Sequence, residues 1–485
     1  MSRKILSGGP TDDQISRHQW APKLSSAWEH RAVAAMICLG AIVSADAILH
    51  HGVMGQDFSG NYSVAKAVSE DFRNALAFTY TNPPAFYFLG ALIIRLTGGV
   101  HDIVMIGIVN LLINSGALWI FYRLSLYLID SAALRITAVL LLTFLPVRMI
   151  HSVVFAGDAL TMLPICGVTL ALLKMQDEPS ARRRIWLAAG LGILLCVSVC
   201  IKYTFMSTIV GCALILVQMV RRRTIEPKEF MIMFMIVVLP ACLIALVQIK
   251  THKSFTNTLN LKGTMPNQMS YRTLFSIKGA DKYILTAPSY NEPIPNVPRI
   301  GTGEKGDLGP PYELLTENRH GYLALLHLAA FTDSINIFQY DPTDDYFGRR
   351  NARNQRLMAL AVKTALPITL GCVASIAYLI IFNLPALIFA PTRVRPSLEI
   401  ALVLSLAWFL NIFLFLPFVD GACIGGYWTP RLILPALLLF VLLMFHVLDR
   451  LLPGPWRTFA IRLILGYVTL QSALHVSFLW PWGVF

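Results

Sequence analysis

Ala85-Phe86-Tyr87-Phe88-Leu89-Gly90-Ala91-Leu92-Ile93-Ile94-Arg95-Leu96 is apolar but short, and its reading decides the fold. A helix needs about 20 apolar residues to cross a bilayer. This stretch falls well below that and carries Arg95. It follows Thr81-Asn82-Pro83-Pro84, a proline pair that stops one helix and starts the next. If the stretch crossed, every later basic cluster would change sides. The positive-inside rule therefore tests it.

If the stretch lies flat, one side collects Arg3, Lys4, Arg17, Lys23 and Arg31. It also collects Arg123, Arg135, Lys174, Arg182, Arg183, Arg184, Arg221, Arg222, Arg223, Lys228, Arg393, Arg395, Arg450 and Arg457. The short segments on the other side hold only Lys66, Arg73, Arg95, Arg148, Lys202 and Arg431. A crossing would set all the later clusters against the basic N-terminal tail. Residues 85–96 are therefore expected to form a helix in the membrane surface.

Apolar runs then predict about eleven transmembrane helices. They lie near residues 31–50, 102–122, 133–149, 159–174, 185–201, 205–220, 230–249, 365–390, 398–418, 432–447 and 460–479. The expected fold class is an all-α polytopic membrane protein. Residues 1–30 read as a cytoplasmic tail rather than a signal peptide. Residues 31–249 form a transmembrane module with the external loop 51–102. Residues 250–355 form one large external loop, rich in Pro and Gly in its first half. Residues 356–485 form a C-terminal transmembrane module. A loop as long as 250–355 is usually functional.

Composition agrees. The chain has 485 residues, 56% hydrophobic and only 14% charged, with a mean hydropathy of +0.61. Soluble domains carry roughly 25% charged residues. The net charge of +13 would suggest nucleic acid in a soluble protein. Here it follows from basic loops that hold topology, and no nucleic-acid partner is expected. Seven of the eight cysteines, all except Cys423, fall in apolar runs and there is no CxxC. They read as packing residues, with no disulfide framework and no zinc site.

The external junctions carry the candidate chemistry. Asp57, in Gly55-Gln56-Asp57-Phe58, follows the first span. Arg148, His151 and Asp158 stand between the third and fourth spans, and Lys202-Tyr203 follows the fifth. Asp420, Tyr427 and Arg431 surround the start of the tenth. Taken singly, each has an ordinary reading. Asp57 is then a solvated loop acid, and Asp158 an N-cap of the fourth span. His151 is a satisfied polar residue, and Lys202 and Arg431 are snorkelling cations. Taken together, carboxylates and cations at one face above an apolar bundle suit a reaction on a lipid-linked anion. Cations would hold a phosphate, and a carboxylate would take a proton from an attacking hydroxyl.

At these residues the chain resembles the GT-C superfamily of membrane glycosyltransferases, in the protein mannosyltransferase and aminoarabinose transferase group. The resemblance lies in the order of features over residues 30–220, plus one element at 420–435. An acid follows the first span, as Asp57 does here. Asn82-Pro83-Pro84-Ala85 stands where the family has a His-Pro-Pro-Leu-like motif, with Asn for His and Ala for Leu. A second acid stands at the fourth span, here Asp158. Lys202-Tyr203-Thr204 matches a Lys-Tyr-Thr pattern. Arg431-Leu432-Ile433-Leu434-Pro435 is similar to an Arg-Tyr-Leu-Leu-Pro-like motif.

The resemblance implies inverting sugar transfer from a polyprenyl-phosphate donor on the external face. Asp57 would be the general base and Asp158 would orient the site or an acceptor. Lys202 and Arg431 would bind the donor phosphate. Arg148, His151, Tyr203, Tyr427 and Asn82 are secondary candidates. No cofactor is expected, although some family members use a divalent metal. The expected setting is a bacterial inner or plasma membrane with a cytoplasmic N-terminus. The acceptor stays open among glycan, lipid and protein. A polysaccharide polymerase or ligase, with key residues near Arg349–Arg356, His320 or His327, is the enzyme alternative. A transporter is the third option.

Overall fold

A computed structural model of the chain describes residues 25–51, 58–73, 84–153, 155, 157–251, 327, 347–411 and 429–479. The described residues are helical throughout and include no strand. In chain order the helices are α1 (Ala27–His51), α2 (Phe58–Glu70), α3 (Pro84–Thr97), α4 (Asp102–Leu128), α5 (Ala132–Thr143), α6 (Pro146–His151) and α7 (Met162–Asp177). They continue with α8 (Ala181–Ile201), α9 (Met206–Arg221), α10 (Pro227–Thr251), α11 (Phe347–Phe389), α12 (Pro396–Leu410), α13 (Thr429–Leu451) and α14 (Gly454–Leu479). Short 3-10 turns stand at Gly157–Leu160, Tyr203–Phe205 and Pro391–Arg393.

Helices overlie the apolar runs read from the sequence. Within the described residues five segments are long and apolar enough to cross a bilayer: Asp102–Leu128, Ala181–Ile201, Pro227–Val247, Val362–Phe389 and Leu434–Leu451. The chain is thus a helical integral membrane protein. α11 begins at Phe347, so Arg349, Arg350, Arg353 and Arg356 belong to a helix that continues into an apolar span. The boundary expected at residue 355 falls inside that helix. The long hydrophobic run and the basic turn before it share one 3.6-residue period, and nothing between them breaks it.

α3 is stopped early by its own sequence. Gly98 and Gly99 both take positive φ, at 63° and 80°. The Gly99 N–H returns to the Ile94 carbonyl at 3.1 Å. This is the glycine-dependent helix stop in which a left-handed residue turns the chain back on the last carbonyls. At 14 residues α3 is about 21 Å long, short of the roughly 30 Å hydrocarbon layer.

The path around α3 agrees. α1 and α4 pack together. At one end, Glu29 of α1 pairs with Arg135, which also binds the Ile129 carbonyl just past α4. At the other end, Ile48 of α1 clusters with Ile106 of α4. The two helices are therefore antiparallel, and the chain leaves α1 and enters α4 at the same end of the bundle. A single crossing by α3 has no place in that path. α3 instead packs on α2, α4 and α8, burying Phe86, Tyr87, Gly90, Ala91, Ile93 and Ile94. Its other side presents Phe88, Leu92 and Leu96, an exposed apolar stripe at four-residue spacing.

Candidate active site

The two ends of the bundle treat charge differently. At the end that carries the starts of α1, α5, α8, α10, α12 and α14, buried arginines have acidic partners. Arg135 clasps Glu29 with both prongs, at 2.6 and 2.8 Å, and its third nitrogen holds the Ile129 and Asp130 carbonyls. Arg184 clasps Glu229 at 2.6 and 3.0 Å. Arg222 pairs with Glu399. Asp449 takes Arg457 at 3.2 Å and the backbone N–H groups of Asp130 and Ser131. In the Arg135 and Arg184 pairs the contact is bidentate and the remaining guanidinium nitrogen holds a carbonyl, the arrangement that lets an ion pair stay buried. The basic clusters counted for topology therefore also staple helix ends.

At the opposite end lies a separate apolar cluster. It joins Ile48 of α1, Val64, Ala65 and Val68 of α2, Phe86, Tyr87 and Ala91 of α3 and Ile106 of α4. Val153, Phe155 and Leu160 of the α6–α7 connection and Ile201 of α8 complete it. Phe155 is the keystone. It stacks on Phe86 with ring centres 4.5 Å apart, and a Cβ on Gly90 would lie 2.5 Å from its ring.

Polar contacts hold α2 in this cluster. Asn61, 5% exposed, donates to the Phe155 carbonyl at 3.2 Å and accepts from the Tyr87 hydroxyl at 3.4 Å. The Tyr62 hydroxyl donates to the Asp102 carboxylate. That bond, followed by burial and the Asp102 charge, pushes the Tyr62 hydroxyl up to about 12. Arg95 binds the Ser69 and Glu70 carbonyls at the end of α2 and lies 4.1 Å over the Phe72 ring. It is thus a cation on the negative end of a helix.

The cluster gathers backbone next to several sequence-predicted site residues. Asp57 directly precedes α2, and Asn82 precedes α3. Both lie outside the described residues, as do Tyr427 and Asp420. Asp158 is in the 3-10 turn between Phe155 and Met162. It is not the N-cap of α7; Thr161 holds that position. Pro164 explains the late start. It lacks an N–H and fits only the first turn of a helix, a signal that was present in the sequence. Lys202 ends α8 in an extended conformation, half-buried, its N–H on the Ser198 carbonyl at 2.9 Å. Tyr203 opens the 3-10 turn that follows. Arg431 is on the first turn of α13, and α13 also touches α6 and the turn holding Asp158.

Arg148 and His151 sit one turn apart on α6, at 1% and 2% exposure. Arg148 donates to the Thr143 carbonyl at 2.7 Å, while its Nε has no hydrogen-bond partner. Among the described residues no carboxylate pairs with it. A buried cation without a counter-charge costs several kcal/mol. His327, weighed as a polymerase residue, is buried with its ring nitrogens 2.7 Å from the Thr369 hydroxyl and 3.1 Å from the Val362 carbonyl. It pins the chain to α11. His320 lies outside the described residues. Among the described residues no group of three His, Cys, Asp or Glu side chains is placed to hold a metal.

By sequence Asn61, Tyr62, Arg95 and Asp102 fall in the external loop 51–102, with no part in the site. Their roles depend on partners tens of residues away, which no local motif encodes.

No family model matches the chain, and no curated protein does. Eight chains of solved structures match it. One is the archaeal oligosaccharyltransferase AglB from Archaeoglobus fulgidus, in complex with an inhibitory peptide and a dolichol-phosphate. The TM-score is 0.47 and the identity 10%. The match covers 93% of this chain and 56% of that one, so the chain spans little more than half its length.

Proposed function

We propose that the chain is a membrane glycosyltransferase of the GT-C type that moves a sugar from a polyprenyl-phosphate donor to an acceptor hydroxyl or amine. The reaction runs on the external face, with inversion. One observation carries the reading: among the described residues Arg148 is buried without a counter-charge, whereas Arg135, Arg184 and Arg222 at the opposite end all have glutamate partners. A buried cation with no acidic partner among the described residues favours an anion from outside the protein, and a lipid phosphate is the anion an apolar bundle admits.

Asp57 is the base in this reading. It takes the proton as the acceptor attacks the anomeric carbon, and the bond from that carbon to the phosphate oxygen breaks. The polyprenyl phosphate leaves with the electron pair. Lys202 and Arg431 neutralise it as it departs, with Arg148 supplying further positive field from below. Stabilising charge on a leaving group is commonly the largest single catalytic contribution. Asp158 orients the acceptor. His151, Tyr203, Tyr427 and Asn82 are the secondary candidates of this reading.

The test is sugar transfer in reconstituted membranes from a panel of polyprenyl-phosphate hexoses and pentoses. Asp57→Asn should abolish transfer at a normal protein level. Arg148→Met should weaken binding of farnesyl phosphate, a short phosphate-bearing analogue, and leave farnesol binding unchanged. Full transfer by Asp57→Asn, with loss in Arg349→Ala/Arg350→Ala, would sink the assignment in favour of a polymerase.

A further inference from the structure

We infer that Asn61 is a positioning residue that holds the α6–α7 connection, which carries Asp158, in register with α2; this rests on the glycosyltransferase reading for its catalytic consequence. Asn61 follows Asp57 by four residues in sequence and lies in the first turn of α2. Phe155, whose carbonyl it holds, precedes Asp158 by three. Asn61 hydrogen-bonds directly from α2 to that second segment.

The chemistry suits an amide and little else. The Phe155 carbonyl needs a donor and the Tyr87 hydroxyl donates a hydrogen bond, so the central group must donate on one side and accept on the other. An asparagine amide does both from a side chain short enough to stay buried. Burial at 5% exposure removes water as a substitute partner. Losing the bond leaves a buried carbonyl unsatisfied and frees the α6–α7 connection from α2. The Phe155 ring still packs on Phe86, so the segment stays docked but loses its register.

A displacement of about 1 Å in a catalytic group can cost about a hundredfold in rate. Asn61→Ala should therefore lower kcat by about 10- to 100-fold and leave the KM for the donor little changed. Asn61→Asp keeps the shape but sets an acceptor against the Phe155 carbonyl, and it should lose as much. Tyr87→Phe keeps the Phe155 bond and should stay near wild type.

The second readout is hydrogen exchange on the full-length protein in lipid nanodiscs. Asn61→Ala and Asn61→Asp should speed exchange at residues 152–160 while α4 and α13 keep their rates. Wild-type exchange at residues 152–160 in both variants would overturn the inference. So would a loss in Tyr87→Phe equal to that in Asn61→Ala. If the wild-type protein transfers no sugar from any donor of the panel, the glycosyltransferase reading fails, and exchange alone decides the coupling.

Discussion

The Arg135 guanidinium grips the Glu29 carboxylate through two parallel bonds, Nε–Oε1 at 2.6 Å and Nη2–Oε2 at 2.8 Å, with both side chains almost fully buried. Breaking one partner strands the other charge. Arg135→Met should destabilise by about 3–5 kcal/mol, while the double replacement Glu29→Met/Arg135→Met should recover most of that loss. Thermal unfolding in detergent measures both. Equal losses in the single and double variants would mean that the charges are not coupled.

Arg148 should behave in the opposite sense. With no counter-charge to strand among the described residues, Arg148→Met removes a buried cation and should hold or raise the unfolding temperature. The same substitution should remove sugar transfer. A drop in stability as large as that of Arg135→Met would show that the guanidinium is structural.

Tyr62 gives a pH signature. Its folded-state value, raised to about 12 from the usual 10, means the protonated hydroxyl is the form held by Asp102. That contribution is complete below pH 10 and is lost as pH rises from 10 towards 12. A tyrosinate difference spectrum of wild type minus Tyr62→Phe should show one hydroxyl titrating near 12. Titration of that group near 10 would show that the Asp102 bond is absent.

Gly90 leaves room for Phe155. A methyl group there would meet the Phe155 ring at 2.5 Å and Ala65 at 3.0 Å. Gly90→Ala should destabilise the surface-helix pair by about 1–3 kcal/mol. Proteolysis within α2 and α3 should rise while α8 stays protected. A wild-type digestion pattern would mean that the contact is loose.

Topology is open to a direct test. Because α1 and α4 are antiparallel, reporters fused after Val100 and after Asp130 should signal opposite sides. The Val100 fusion should report the external side. A cytoplasmic signal from the Val100 fusion would require α3 to cross, and a shared side for the two fusions would mean that α4 does not.

The apolar runs and the positive-inside asymmetry made the helical membrane fold legible without coordinates, because hydrophobic length and loop charge are local properties. Gly98-Gly99 and Pro164 were equally local. The first ends α3 before it can cross, and the second sets the late start of α7. The candidate site was legible only as residue types at junctions. Asp158 read naturally as an N-cap, and Arg349–Arg356 read as loop, because helix ends depend on which backbone groups find partners.

What the sequence determined by itself is the class of molecule, the helical segments, and the side of the membrane expected to receive the junction acids and cations. Tertiary structure decided which charges are matched. Arg135 and Arg148 are arginines of two successive helices, α5 and α6; among the described residues one meets a glutamate 106 residues away in sequence, and the other the Thr143 carbonyl. Pairing is a property of helix packing, so it emerges only when α1 lies against α5. The same holds for Asn61. Its amide acquires a role only because packing brings a carbonyl 94 residues away in sequence within reach.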